Sequence, residues 1–141
     1  MHQCGFEVSI FNIYGGSNMY AITVKTGFSA AHQLRLYDGK YENLHGHNWS
    51  SQVTVEADEL DAMGVGIDFV KLKQIVEEIL GTLDYQNINE IPPFDKLNPS
   101  AENIARWLFL KLKEKVSSQT TRVKRVEIYE MEGCGASYFE P

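Results

Sequence analysis

Three of the four histidines in this chain stand where they could share one ion: His32 in "FSAAHQL", and His45 and His47 in "ENLHGHNW". Residues two apart on a strand project from one face, with Cα atoms roughly 6.5 Å apart. Two imidazoles at that spacing can converge on a cation, and a third would come from a paired strand. Three neutral imidazoles leave a fourth position open, as in catalytic rather than structural zinc sites. Imidazoles alone do not choose zinc over iron or nickel. A lone His-x-His is more often a surface or core pair. The third histidine, in phase with an apolar face where an unpaired ring is costly, favours a metal. Glu42, three residues before His45, adds a carboxylate that needs a purpose.

These residues meet only if two strands form an antiparallel hairpin. Tyr20, Ile22, Val24, Phe28, Ala30 and His32 share one parity, the two-residue period of a strand. After the loop "QLRLYDGKYEN", His45, His47, Trp49, Val53 and Val55 share a face, and Asn48, Gln52, Thr54 and Glu56 take the other. The spacing then predicts a helix capped by Asp68, with a stripe of Phe69, Leu72, Ile75, Val76, Ile79 and Leu83. Pro92 and Pro93 punctuate the connection to a second helix, capped by Ser100 and striped by Ile104, Trp107, Leu108 and Leu112. "RVKRVEIYEM" and "ASYF", joined by "EGCG", read as a last strand pair. The order is β-β-α-α-β-β, an α+β domain whose four-stranded antiparallel sheet carries two helices on one face. Gly46 is expected to permit close approach of backbone or ligand.

At 141 residues the chain is long enough for one domain. Residues 1–19 read as an appendage ending in "GGSN", or as a short extra strand through Phe6, Val8 and Ile10; residues 20–141 form the domain. A net charge of −6 argues against general nucleic-acid binding but leaves room for an anionic small substrate. No apolar run is long enough to span a bilayer. The amino terminus shows no secretory pattern, and two cysteines, Cys4 and Cys134, make no disulfide framework, so a cytoplasmic setting is expected.

The segments "FSAAHQL", "LHGHNW", "GIDFVKLK", "LDYQNIN", "NPSAENIA" and "VEIYE" resemble, in order and spacing, the 6-pyruvoyl-tetrahydropterin and 6-carboxy-tetrahydropterin synthases, over about Tyr20 to Phe139. The resemblance implies the tunnelling or T-fold, trimers around a barrel commonly paired into hexamers, and active sites at subunit boundaries. It implies zinc held by His32, His45 and His47, and Glu130 as the anchor of a pterin ring. Glu130 shares strand parity with Val126 and Ile128, so it should face a sheltered side, where a carboxylate can accept two hydrogen bonds from a ring N–H and an amino group.

The departures from that family matter as much. Its proton-abstracting cysteine stands four residues before the first histidine of HGH, where this chain has Tyr41. Its Asp-His pair after the first helix is here Asp84-Tyr85. Glu42 instead makes E-x-x-H-G-H, which resembles a subgroup with glutamate in place of cysteine. That likeness implies zinc-dependent cleavage of 7,8-dihydroneopterin triphosphate to 6-hydroxymethyl-7,8-dihydropterin, for folate synthesis, with Glu42 as the catalytic base; Asp84, from the family's Asp-His pair, is expected as a second catalytic residue that orients a water or a neighbouring side chain. Two alternatives remain: 6-carboxy- or 6-pyruvoyl-tetrahydropterin synthesis from the same substrate, and a pterin-binding homologue without catalysis.

Overall fold

A computed structural model of the protein describes residues 19–141. The expected appendage or extra strand through Phe6, Val8 and Ile10, with Cys4, lies outside the described residues. The elements are β1 (Tyr20–His32), β2 (His45–Ala57), α1 (Phe69–Leu80), α2 (Ala101–Val116), β3 (Thr121–Met131) and β4 (Cys134–Tyr138), with a 3-10 turn at Ile88–Glu90.

The strands pair antiparallel in the order β1-β2-β3-β4. Alternation decides which side of the sheet is dry. Ile22, Val24, Phe28 and Ala30 of β1, Trp49, Val53 and Val55 of β2, and Val126 and Ile128 of β3 are buried. Each such large apolar side chain contributes about 1.5–3 kcal/mol by leaving water. The helices cover this face, α1 over β1 and α2 over β3 and β4. The opposite face carries small and polar groups, among them the cross-strand pairs Thr23–Thr54 and Ser29–Asn48.

Both helix starts follow the sequence. The Asp68 carboxylate accepts hydrogen bonds from the Val70 and Lys71 N–H groups, and the Ser100 hydroxyl accepts from Asn103 N–H. The first helix buries Leu72, Val76, Ile79 and Leu80, but Phe69 at its first position is 63% exposed. Helical spacing put Phe69 in the stripe; at the amino-terminal end, where the chain has only just reached the sheet, that side chain overhangs the core. Leu83 is buried from the turn after α1 rather than from the helix. The final hairpin is tighter than expected: Met131 pairs with Cys134, the turn is Glu132-Gly133, and β4 starts two residues before "ASYF". Gly133 has φ +77°, a conformation that side chains disfavour.

Candidate metal centre

The hairpin of β1 and β2 places His32 directly opposite His45, and Ala30 opposite His47. All three histidines lie on the helix-covered side, at the end of the sheet. β3 supplies a fourth group. Its pairing ends with Tyr129 against Ser50, so the next residue, Glu130, comes beside Trp49 and reaches diagonally toward His47. Glu130 Oε1 lies 2.7 Å from His47 Nε2, 3.0 Å from His32 Nε2 and 3.8 Å from His45 Nε2. One donor atom from each of the four residues falls within 4.8 Å of every other.

The back side of each ring explains what the front can do. His32 Nδ1 is 2.8 Å from the Pro99 carbonyl oxygen and His45 Nδ1 is 2.7 Å from that of Asn43. A carbonyl only accepts, so both Nδ1 atoms carry the proton, and in the neutral rings both Nε2 atoms present lone pairs. Fixing the tautomer through a carbonyl is how metal-bound histidines are commonly oriented. His47 Nε2 is buried without a correctly directed hydrogen bond, despite the nearby carboxylate. Two imidazole lone pairs, the Nε2 of a third ring and one carboxylate oxygen therefore face a common point, a donor set that fits a divalent cation such as zinc. Burial pushes the His47 pKa below its ordinary value, against the opposing pull of Glu130, which keeps its lone pair available.

Trp49 forms the floor. Its ring meets His32 and His47 edge-on at 4.8 and 5.4 Å, stacks on Phe28, and donates its N–H to the Ala30 carbonyl. His32 is 1% exposed, whereas His45 is 40% exposed, so one side of the centre is open. A separate cavity of about 510 Å³, on the other face of the sheet, touches His47 and is lined by Ser29, Ala31, Asn48, Tyr85 and Asn87. Gly46 is not forced by packing: a Cβ there would meet the Ala30 carbonyl oxygen at an ordinary 3.8 Å.

Glu42 and Asp84 stand apart from the four converging groups. Glu42 Oε2 accepts from Leu34 N–H at 3.2 Å, and Glu42 N–H donates to the Leu34 carbonyl at 3.0 Å. Asp84 Oδ1 accepts from Ser29 N–H at 2.8 Å, and Tyr85 N–H donates to the Ser29 carbonyl, so this pair pins the turn after α1 to β1. Tyr41 and Tyr85 are exposed.

Two asparagines that sequence reasoning passed over hold the loop between His32 and His45. Asn89 accepts from Gln33 N–H and donates to its carbonyl, at 2.9 and 2.8 Å. Asn98 does the same for Arg35, at 2.8 and 3.0 Å, and its neighbour Pro99 supplies the carbonyl behind His32. Both sit in segments already singled out, Asn89 at the end of "LDYQNIN" and Asn98 at the start of "NPSAENIA", but a polar loop residue does not announce a distant partner.

Residues 21–141 match the model of the family described as 6-pyruvoyl tetrahydropterin synthase. A dihydroneopterin monophosphate aldolase of Pyrococcus furiosus is 33% identical over 109 residues, 77% of this chain and 88% of the relative. A 6-carboxy-5,6,7,8-tetrahydropterin synthase of Synechocystis is 33% identical over 128 residues, 87% of this chain and 95% of the relative. The structure of Caenorhabditis elegans 6-pyruvoyl tetrahydropterin synthase superposes with a TM-score of 0.76 at 26% identity, covering 88% of this chain and 97% of that one. The four-stranded sheet with its two helices is thus the T-fold, and the chain belongs to the 6-pyruvoyl tetrahydropterin synthase family.

Proposed function

We propose that this protein cleaves the C1′–C2′ bond in the side chain of 7,8-dihydroneopterin triphosphate, releasing 6-hydroxymethyl-7,8-dihydropterin and a phosphorylated two-carbon aldehyde. One observation carries the reading: an intact set of metal donors stands beside a site without the family cysteine. Tyr41 occupies that position, and Cys134, the only cysteine among the described residues, is exposed in β4. Glu42 is the nearest carboxylate in the loop that leads into His45. The aldolase activity in the name of the Pyrococcus furiosus relative supports carbon–carbon cleavage.

His32, His45 and His47 would hold zinc. Bound there, the metal would polarise the side-chain hydroxyls and lower their pKa. Glu42 takes the proton of the C2′ hydroxyl; the O–H electrons form the aldehyde carbonyl, and the C1′–C2′ pair passes to C1′, in conjugation with the ring. The same carboxyl group then returns a proton to C1′. To act, Glu42 exchanges its long bond to Leu34 N–H for the substrate hydroxyl, a modest exchange for a 3.2 Å contact. Glu130 takes the ring N–H and amino group of the pterin and so holds C1′ in place. Asp84 acts at one remove, by fixing Ser29 on β1.

A second reading differs only in phosphate count: the same relative is named for the monophosphate. Incubation with dihydroneopterin triphosphate and monophosphate, with products identified by mass, separates these two from 6-carboxy-tetrahydropterin synthesis. Glu42→Gln keeps size and polarity but cannot take a proton. Its kcat should fall by roughly 10²–10⁴ with metal content unchanged. Wild-type turnover in Glu42→Gln would remove it as the base, and absence of the 6-hydroxymethyl product would sink the reaction.

A further inference from the structure

The end of the sheet away from the histidines carries an apolar groove. Residues 58–68 follow β2 past the point where Tyr20 pairs with Ala57, and with the first turn of α1 they enclose a cavity of about 520 Å³. Leu60, Met63, Val65, Phe69 and Val70 line it, and each is between 36 and 83% exposed. Single exposed apolar side chains are ordinary, but a contiguous set marks a surface that something covers.

The backbone fixes these walls. The Asp61 carboxylate accepts from the Met63 and Val65 N–H groups at 2.8 and 3.0 Å, which closes the turn between them. Gly66 presses so closely on the sheet that a Cβ there would come within 2.8 Å of Ala57 Cβ. Asp68 is committed to capping α1.

A second copy of this chain is a poor occupant, because it would bring a net charge of −6 to a rim that already holds Glu59, Asp61 and Asp68. Residues 1–18, which precede the described residues, contain one acid, Glu7, and the apolar stretch "FEVSIFNIY" at 6–14. They join the domain at the groove, since Tyr20 stands opposite Ala57 and Gly66 packs on Ala57. Neighbouring strands lie roughly 5 Å apart, and the four residues 15–18 can span up to about 14 Å, enough for a return.

We propose that residues 6–14 dock in this groove of their own chain, with Phe6, Val8 and Ile10 supplying apolar contacts to Met63, Phe69 and Val70. The contact lies at the opposite end of β1 from His32 and is independent of the reaction assigned above.

Full-length protein carrying Phe6→Ser and Ile10→Ser is compared with wild type by hydrogen exchange and mass spectrometry, after circular dichroism confirms the fold. Amides of residues 59–70 should exchange at least about tenfold faster in the variant, the effect of withdrawing even one apolar side chain from a contact, while residues 45–49 should not change. Unchanged exchange over residues 59–70 would overturn the contact. A disulfide trap then identifies which chain supplies the segment. In full-length protein with Cys134→Ser, Cys4 is the one native thiol left. A second thiol is placed in the groove by Met63→Cys or, as a control, near the carboxyl end of α2 by Lys115→Cys. Mild oxidation should join Cys4 to the groove within one chain at least about tenfold faster than to α2, because docking raises the local concentration. Equal rates would mean that residues 1–18 pass over the groove without settling, and a disulfide between chains would give the groove to a second copy. Either result overturns the proposal.

Discussion

The central strands β2 and β3 carry a charged cluster near each end, and the two are built oppositely. At one end Glu56, nearly buried, receives Arg122 Nε at 3.1 Å and Lys124 Nζ at 3.5 Å, while Arg122 also grips both oxygens of Asp58 at 3.0 and 3.1 Å. The protein supplies both signs there, and hydrogen bonding to Asp58, helped by Glu56, holds the guanidinium in its charged form more firmly than usual. At the other end His32, His45, His47 and Glu130 bring three imidazole nitrogens and a carboxylate oxygen together with no lysine or arginine paired to them among the described residues. A cluster complete within the chain serves the fold. One whose donors meet without a lysine or arginine among them could hold a cation from outside.

The largest expected effect tests the incomplete cluster. His45→Ala removes one donor from the exposed side without opening the core, so metal affinity should fall well beyond the about 10–100-fold that outer partners are worth. The sheet should persist, since the apolar face and not the ion supplies the core. Metal content by elemental analysis and circular dichroism check the two halves. Full occupancy in both His45→Ala and His47→Ala would break the contrast between the two ends.

Asn98→Ala comes next. It strips the Arg35 N–H and carbonyl of their partners and loosens the segment that presents the Pro99 carbonyl to His32. Two lost hydrogen bonds suggest about 1–3 kcal/mol from chemical unfolding. Metal affinity should fall roughly 10–100-fold, as for other outer partners. An unchanged affinity would mean that His32 holds its orientation without that carbonyl.

How much of this was legible in the chain depends on the range of the interaction. Two-residue alternation gave the β1–β2 hairpin and put His32 on the covered side, where it is buried. Asp68 and Ser100 marked the helix starts because capping is local. Parity placed Glu130 on the sheltered face but could not show that it meets the histidines, which depends on β3 lying next to β2 and on where their pairing ends. The asparagine brackets were illegible for the same reason: Asn89 and Asn98 reach backbone 56 and 63 residues away. Phe69 failed at a boundary, where helical period continues but the surface to pack against has run out.

A pH experiment sharpens the comparison. The His47 pKa is held below its ordinary 6.5, chiefly by burial, so the unfolded chain takes that proton before the folded one does. Stability of the metal-free protein should therefore be flat above that value and decline as pH falls through it. Urea midpoints at neutral and mildly acid pH measure this, and His47→Asn should show a shallower decline. A metal-free protein that gains stability on acidification would instead mean that the carboxylate of Glu130 pairs with protonated histidine and completes the cluster with a proton.

The smallest effect belongs to the complete cluster. Arg122→Ala removes the cation shared by Glu56 and Asp58, but Lys124 remains within 3.5 Å of Glu56, and Asp58 is open to water. Neither acid is left both buried and alone, so the heavy cost of an uncompensated interior charge does not arise. Exposed pairs are worth little and are screened by salt. The melting temperature should fall by no more than about a few degrees, and less in high salt. Metal affinity should not change, because the arginine sits at the far end of β3 from Glu130. Scanning calorimetry at two salt concentrations, with cobalt titration on the same samples, reads both quantities. Loss of metal in Arg122→Ala would mean that the two ends are coupled along β2 and β3, and that the complete cluster sets the strand positions on which the incomplete one depends.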